Sequence, residues 1–562
     1  MAFPLQGGIQ RKKWPLNIKK VNPGNVKLLS ELDCLDEACR EFFTESSRIL
    51  WDEELYLSKI KDTVPPPFKK PSISAVELQS LVDGKLERAE KTPLWGTFAF
   101  KVAEPHKQRC RCIFDCKIND VFKTTPKYTL KTKTQIRAQL NRENIIFLQF
   151  DFKSFYDQFV LSYLVRKFFG VLGHDDMFYW LCLLPMGFRL AVACAQAAMW
   201  LFLNFERGSV QAATCIDNVC LSGERRTTLG AAHIFLLRVE KCGFTLNGFE
   251  EKSFTSMSEE DKLKKLESLI ESEPEFLGEK YDLFKKTRSM TEKTLGKLTL
   301  VWEAIGKLLR EGRFSFITAR QFFSLIGILV YSTGVLNINT HPFFNLFKKI
   351  RKMSGTLSKT EAWDDPMPSH LTRDEFGVLE EWVKIVKTNR PVDMVAGVKK
   401  APPLNVLKAE LFVILDASKV GWGAVIFDEN RKFRKYLQGK WPVGEDYSSS
   451  VRAEPQGVIE VIFRLRKEWK GRVVAILTDH ENLVHASKAL FVHNYFYNRC
   501  LARVEAARRE MGAEIWLYFL EGKKNNADSI SRNKGFFLVD SIFPEVEGTG
   551  LGSALMPPQW QT

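Results

Sequence analysis

Apolar positions from Val26 to Ile60 recur at helical spacing and stop at Val64-Pro65-Pro66-Pro67, which predicts helix followed by a break. A second amphipathic helix is expected over Ala75 to Lys91. From Trp95 the period changes: Phe98 to Val102 and Arg109 to Asp115 alternate like two strands of a hairpin turning around Pro105. Ile145 to Phe150 is a short apolar strand that delivers Asp151 at its end. Ala212 to Val219 reads as another, with Asp217 at a turn before Cys220-Leu221. Leu181 to Phe205 is apolar enough to suggest a membrane span, but Pro185, Gly187 and Arg189 interrupt it. The helix that begins near Ala191 is then too short for a hydrocarbon core and is expected to be buried in protein. The chain next turns charged, with an exposed helix expected from Met257 to Glu273, followed by helical blocks Lys293 to Arg310 and Ala319 to Leu336. Residues 350 to 405 read as a connector rich in turn residues. A second α/β pattern runs from Glu410 to Arg532, and the boundary near 406 is the clearest in the chain.

Length and charge bound what such a pattern can be. At 562 residues the chain is expected to form about three to five domains. Hydrophobic residues make up 45%, which excludes a chain disordered throughout. The 82 Lys and Arg exceed 67 Asp and Glu by 15, and nucleic acid is the commonest polyanion of sufficient size. The 11 cysteines lack paired spacing and no secretory segment opens the chain, so a reduced intracellular protein is expected, nucleus preferred over cytoplasm. Cys110, Cys112 and Cys116 have poor zinc spacing and fit alternating strand positions better.

Six acids stand out by position. Asp151 ends one strand and Asp217 sits at a turn. Asp416 ends the strand Leu411 to Leu415, Glu454 opens an amphipathic run to Trp469, Asp479 follows the strand Val473 to Leu477, and Asp528 begins a helix after the strand Glu514 to Leu520. Singly, each reads as a cap or a solvated charge. Two-metal catalysis, however, requires carboxylates from separate elements to converge on one phosphate.

The order of these pieces resembles the palm of retroelement reverse transcriptases. Phe150-Asp151-Phe152-Lys153-Ser154-Phe155-Tyr156-Asp157-Gln158 is similar to the family's first carboxylate motif, and Leu184-Pro185-Met186-Gly187-Phe188 with Ala195-Gln196 to its template-positioning motif. Cys215-Ile216-Asp217-Asn218 stands where the second carboxylate motif belongs; Gly243 to Asn247, Glu251-Lys252-Ser253 and Glu275 to Gly278 resemble the closing motifs, and Arg109 to Asp115 the fingers hairpin. The resemblance implies that Asp151 and Asp217, with the Phe152 carbonyl, bind catalytic magnesium. It implies that Arg111, Lys101 and Lys107 hold the triphosphate. Tyr156 would exclude a 2′-hydroxyl, Gln196 would position nucleotide and template, and Lys252 would lie near the pyrophosphate. The family usually has two adjacent acids where this chain has Asp217-Asn218, which removes one negative charge from a site for two dications. A working but slowed polymerase is expected.

The C-terminal pattern resembles the ribonuclease H domain of the same elements, through Asp416-Ala417-Ser418, Gly421-Trp422-Gly423-Ala424 and Asn525 to Arg532. That resemblance implies that Asp416, Glu454, Asp479 and Asp528 coordinate two magnesium ions and cut the RNA strand of a hybrid. No histidine lies near Asp528 in sequence; Glu521-Gly522-Lys523-Lys524 offers lysines instead.

The expected fold is α/β and α+β multidomain: a right-hand polymerase of fingers, palm and thumb, a connector, and a C-terminal ribonuclease H-like domain. The expected divisions are 1–90 (helical extension, bracing the fingers or docking a partner), 91–255 (fingers and palm), 256–345 (palm end and thumb), 346–405 (connector), 406–540 (ribonuclease H-like) and 541–562 (tail). The spelling of the motifs is most similar to tyrosine-recombinase (DIRS-like) retroelements, closest to the trypanosomatid VIPER type. Expected partners are RNA template, DNA primer, RNA–DNA hybrid, dNTPs and other retroelement products, with no membrane. The expected cofactor is Mg²⁺, two ions in each site, with Mn²⁺ as a substitute. The competing reading is a domesticated RNA-binding scaffold with an impaired palm, retaining at most the nuclease. The basic runs Lys348 to Lys352 and Lys432 to Lys440 are candidates for phosphate contact.

Overall fold

The computed structural model describes residues 14–18, 21–82, 84–104, 108–250, 253–397, 401–489 and 492–534. Lys107 and Lys252, and the expected tail at 541–562, lie outside the described residues. The chain divides into two units, ending and beginning at Thr287 and Arg288.

The first unit opens with α1 (Val26–Ser30), α2 (Glu37–Ser47), α3 (Glu53–Ile60) and α4 (Ala75–Gln79), then β1 (Leu86–Arg88), β2 (Thr97–Glu104) and β3 (Arg109–Cys116). Next come α5 (Lys133–Leu140), β4 (Ile146–Asp151), α6 (Tyr163–Arg166), β5 (Gly170–Leu172), β6 (Phe178–Leu181) and α7 (Ala191–Leu203). The unit closes with β7 (Gln211–Cys215), β8 (Asn218–Gly223), α8 (Arg225–Lys241), α9 (Glu259–Glu267), β9 (Glu275–Phe276) and β10 (Glu279–Asp282).

The helical stretch after Val26 breaks into three because Asn25, Asp36 and Asp52 each turn a side-chain oxygen to an orphan N–H of the next helix. The helix expected over Ala75 to Lys91 is shorter. It ends at Gln79, and Leu86 to Arg88 instead pairs with β6, in register Leu86↔Leu181. Residues before Ile60 share one core with the strands and helices that follow in the first unit. Leu29, Phe43 and Tyr56 are fully buried, and the Tyr56 ring stacks on Phe168 at 4.7 Å. α7 is buried nearly all round, as its apolar composition requires, and no described helix is long and apolar enough to cross a membrane. In β3 alternate residues face inward, so Cys110, Cys112 and Cys116 are core side chains; burial pushes the Cys112 thiol up to about 12. α9 is shorter than the expected exposed helix and buries Leu266 and Lys262.

The second unit contains β11 (Thr287–Met290), α10 (Glu292–Arg310), α11 (Ala319–Val335), α12 (Phe344–Thr360), α13 (Arg373–Lys387) and β12 (Val392–Asp393). β13 (Leu411–Ala417), β14 (Gly421–Asp428), β15 (Phe433–Lys440), α14 (Ser450–Leu465), β16 (Val473–Thr478), α15 (Glu481–Ser487), α16 (Tyr495–Met511), β17 (Glu514–Phe519) and α17 (Asp528–Ser531) follow. The stretch expected as a turn-rich connector carries two helices, α12 and α13. α13 is amphipathic: its buried Trp382 donates from Nε1 to Thr333 Oγ1 of α11 at 2.8 Å. His341, 3% exposed, binds Asn498 through Nδ1 at 2.7 Å and the Ala489 carbonyl through Nε2 at 2.9 Å. These contacts fasten the helical part to α16. The C-terminal sheet has the order β15-β14-β13-β16-β17, antiparallel on one side of β13 and parallel on the other. β13 is buried throughout because helices α14 and α16 cover one face and the segment around α17 the other. The architecture is the expected mixture of α/β and α+β parts.

Candidate functional site

In the first unit β4, β8 and β7 form an antiparallel sheet of order β4-β8-β7. The register Asp151↔Asn218 lays the end of β4 beside the turn that joins β7 to β8. The strand expected to run through Ala212 to Val219 is in fact this hairpin, with Ile216 and Asp217 as its two-residue loop. Ile216 has φ +58°, an outlier for a β-branched residue, which persists only where surroundings hold it. Gln196 does this. Fully buried, it accepts from the Ile216 N–H at 2.9 Å and donates to Thr214 Oγ1 at 2.9 Å. Both ends of its amide are thus engaged by the hairpin.

The two aspartates are tied through the backbone: the Phe152 N–H donates to the Asp217 carbonyl at 2.9 Å. Asn247 donates from its backbone to the Asp151 carbonyl at 2.8 Å and from Nδ2 to Asp151 Oδ2 at 2.6 Å. Asn218 turns Nδ2 to Asp217 Oδ1 at 3.1 Å. Where an acid would offer oxygen, this side chain spends a donor on its neighbour. Tyr156, half-buried in the turn 155–158, has its phenol pushed up by burial and then by the charge of Asp217.

The expected triphosphate cations are both paired. Lys101 Nζ lies 2.8 Å from Glu77 of α4, and Arg111 Nη2 lies 2.9 Å from Glu104. Neither acid stood out in the sequence, since Arg111 meets Glu104 only when the β2–β3 hairpin closes and Lys101 meets Glu77 only when α4 packs beside it. The hairpin is docked on the segment 184–189: the Phe114 N–H donates to the Met186 carbonyl at 3.0 Å and Asn119 Nδ2 to the Gly187 carbonyl at 2.8 Å. Gly187 has φ +121°, and a Cβ there would lie 2.0 Å from the Phe114 carbonyl oxygen. Gly187→Ala is therefore expected to lower stability by about 1–3 kcal/mol from backbone strain alone, more with the clash. Urea unfolding followed by tryptophan fluorescence measures it; an unchanged midpoint would show that the hairpin can shift freely.

In the second unit Asp416, Glu454 and Asp479 converge, with ligand oxygens all within 4.8 Å of one another. Asp416 and Asp479 come from the ends of adjacent parallel strands, β13 and β16, and Glu454 from α14, which packs over them. Glu454 accepts from the Ala417 N–H at 3.0 Å and from Thr478 Oγ1 at 3.3 Å. Ser531 Oγ donates to Asp416 Oδ2, and Asn525 Nδ2 lies 3.4 Å from Asp416 Oδ1. Gly423, opposite Asp416 in register, admits α17 because a Cβ there would lie 2.7 Å from Ile530. Burial, followed by the charges of Asp479 and Asp528, pushes the Asp416 carboxyl up to about 6 even though Ser531 pulls the other way. Burial and then Asp416 and Asp479 push Glu454 up to about 9, and burial raises Asp479. Such crowding is relieved by a dication, and an all-oxygen donor set suits a hard one. Asp528 stands apart from the triad: half-exposed, it pairs with Arg532 at 2.7 Å. Its charge is nonetheless felt by both Asp416 and Asp479. His480, beside Asp479, is turned to the Tyr497 hydroxyl at 2.9 Å.

No protein-family model matches the chain, and no curated protein does either. Among solved structures, it is similar to the foamy viral protease-reverse transcriptase in complex with RNA/DNA hybrid, at 13% identity and TM-score 0.44, over 96% of this chain and 67% of that one. It is likewise similar to the foamy viral protease-reverse transcriptase dRH in complex with double-stranded DNA, at 13% identity and TM-score 0.44, over 90% and 83% of the two chains. A further complex of that viral protein with double-stranded DNA matches at 14% identity and TM-score 0.42, over 90% and 99%.

Proposed function

We propose that this chain is a retroelement reverse transcriptase with a ribonuclease H activity, copying RNA into DNA and degrading the RNA strand of the resulting hybrid. The observation that carries the reading is the presence of two separate carboxylate centres, Asp151 with Asp217 at a strained hairpin and Asp416, Glu454 and Asp479 at parallel strand ends. Asp151 and Asp217 would hold the divalent cations of the palm, and the buried triad those of the nuclease, with Mg²⁺ preferred and Mn²⁺ as substitute. Bound there, such ions supply an activated oxygen nucleophile and stabilise the charge on the leaving oxygen.

The remaining chemistry belongs to the chain. Gln196 holds the Ile216 turn in place, Asn247 orients Asp151, and Tyr156 walls the pocket beside Asp217 so that a deoxyribose is preferred. Arg111 and Lys101 would exchange Glu104 and Glu77 for a triphosphate. In the nuclease, Ser531 and Asn525 orient Asp416 while Thr478 and the Ala417 N–H orient Glu454. The spelling of the motifs supports a place among the tyrosine-recombinase retroelements, VIPER type. Primer extension on an RNA template, with template and primer labelled separately, tests both activities in one reaction. Absence of both extension and template cutting, in Mg²⁺ and in Mn²⁺, overturns the proposal.

One observation favours a second reading. Asn218 donates to Asp217 where a second acid is usual, and a palm without turnover would leave a nuclease on a nucleic-acid-binding scaffold. Template cutting without extension is the result that selects it.

A further inference from the structure

The basic run Lys348 to Lys352 is left unexplained by either acidic centre. It lies in α12, which carries Lys348, Lys349, Arg351, Lys352 and Lys359 and has no acid. At 100° per residue the helix sorts these residues cleanly. Leu346, Ile350, Met353 and Leu357 are buried on one side. Lys348, Arg351, Lys352 and Lys359 are exposed and share the opposite side, about 16 Å long at 1.5 Å per residue.

Pairing separates this stripe from an ordinary solvated face. Among the described residues, none of these four cations forms an ion pair, whereas Lys349, on the flank, is bound to Glu375 at 2.8 Å. Arg351 and Lys352 lie three and four residues after Lys348, so these three repel one another and weaken the helix that carries them, while Lys359 extends the stripe two turns beyond Lys352. Gly355 lies within the stripe, and a Cβ there would meet nothing within 4 Å, so the surface between the cations is low and open. A membrane surface is a poor match, because the apolar side that would enter lipid is buried in protein. Lys348 and Lys352 also border the cleft between α12 and α13, about 730 Å³, but the cleft itself is a poorer anion site than the open face, since Asp374 and Glu375 line its other wall.

We propose that the exposed face of α12 is a contact surface for the phosphate backbone of an RNA–DNA hybrid, with Lys348, Arg351, Lys352 and Lys359 each neutralising a phosphate. The inference rests on the proposed function for the identity of the duplex. Lys348 and Lys352, one helical turn apart at about 6 Å, match successive phosphates along one strand, Lys359 reaches a further one two turns on at about 10 Å, and side chains on a rigid helix read backbone rather than sequence. The surface therefore adds affinity without base preference and makes binding depend steeply on salt.

The test measures fluorescence anisotropy of a labelled hybrid oligonucleotide with the full chain between 50 and 300 mM KCl. The variant Lys348→Gln/Arg351→Gln/Lys352→Gln/Lys359→Gln keeps good helix formers at each position, and its far-UV circular dichroism is checked against the parent. The slope of log affinity against log salt is expected to become shallower by up to about 3.6, at about 0.9 for each phosphate no longer neutralised. The control Lys59→Gln/Lys61→Gln, in and just after α3, is expected to leave it unchanged. An unchanged slope in the quadruple variant, while the parent binds hybrid, overturns the inference and leaves the proposed function standing. Equal competition by polyglutamate would replace the hybrid with an acidic polypeptide as partner. A parent chain that binds no hybrid at all removes both.

Discussion

Cleavage of the RNA strand of a hybrid in Mg²⁺ is expected to fall by at least about 10³-fold when Asp416 or Asp479 is replaced by alanine or by the isosteric asparagine. Losing one carboxylate from a site that must hold dications removes several kcal/mol of transition-state stabilisation, and each 1.4 kcal/mol is about tenfold in rate. Unchanged cleavage in either variant would remove the assignment. A second readout needs no turnover. Without divalent cation, burial and crowding raise the Asp416 carboxyl to about 6 and Glu454 to about 9, against ordinary values of 3.8 and 4.5. Between those limits the folded chain binds more protons than the unfolded one, so stability falls as pH rises. The stabilisation is complete below the ordinary values and is lost as pH passes through about 6 and then about 9. In EDTA the melting temperature of the transition that includes this unit is therefore expected to drop from pH 5 to pH 9, by the equivalent of a few kcal/mol. A dication takes the proton's place, so the gain in melting temperature on adding Mg²⁺ should widen over the same interval. Glu454→Gln should flatten both trends. A Mg²⁺ effect that does not depend on pH would show that the triad is not where the ion binds.

Asn218→Asp is expected to accelerate primer extension on an RNA template by about tenfold or more, while Asp151→Ala abolishes it. In the parent chain Asn218 contributes a neutral amide, and its N–H contact with Asp217 competes for an oxygen that a cation would use. Restoring the acid adds the missing charge; each 1.4 kcal/mol of improved stabilisation appears as a factor of ten. Single-turnover extension across a Mg²⁺ titration measures it. A revertant no faster than the parent, with a lower Mg²⁺ midpoint in neither, would mean that Asn218 has no bearing on the site. A parent that never extends beside a revertant that does would convert the slowed polymerase into an inactivated one.

Much of both candidate sites was legible as strand ends. Ile146 to Asp151 and Leu411 to Ala417 are runs whose last acid must project where the strand stops, and the alternation of β3 followed from side chains pointing to opposite faces. Where local reading erred, a longer-range partner had intervened. Leu86 to Arg88 became a strand because β6 supplied its hydrogen bonds. Within the turn-rich connector, α12 and α13 form because their apolar sides have a core to enter.

Periodicity, capping residues and the order of acidic motifs are properties of near neighbours, and these the chain of residues settled unaided. Tertiary structure alone decided which charges are paired. Ser531 reaches Asp416 across 115 residues, and Asn247 reaches Asp151 across 96. Arg111 and Lys101 are held by acids, whereas the exposed cations of α12 are not. Asp416, Glu454 and Asp479 crowd together while Asp528 pairs with Arg532. Electrostatic energy depends on distance through space and on the water excluded along the way, and neither quantity is written in the spacing of residues along a chain.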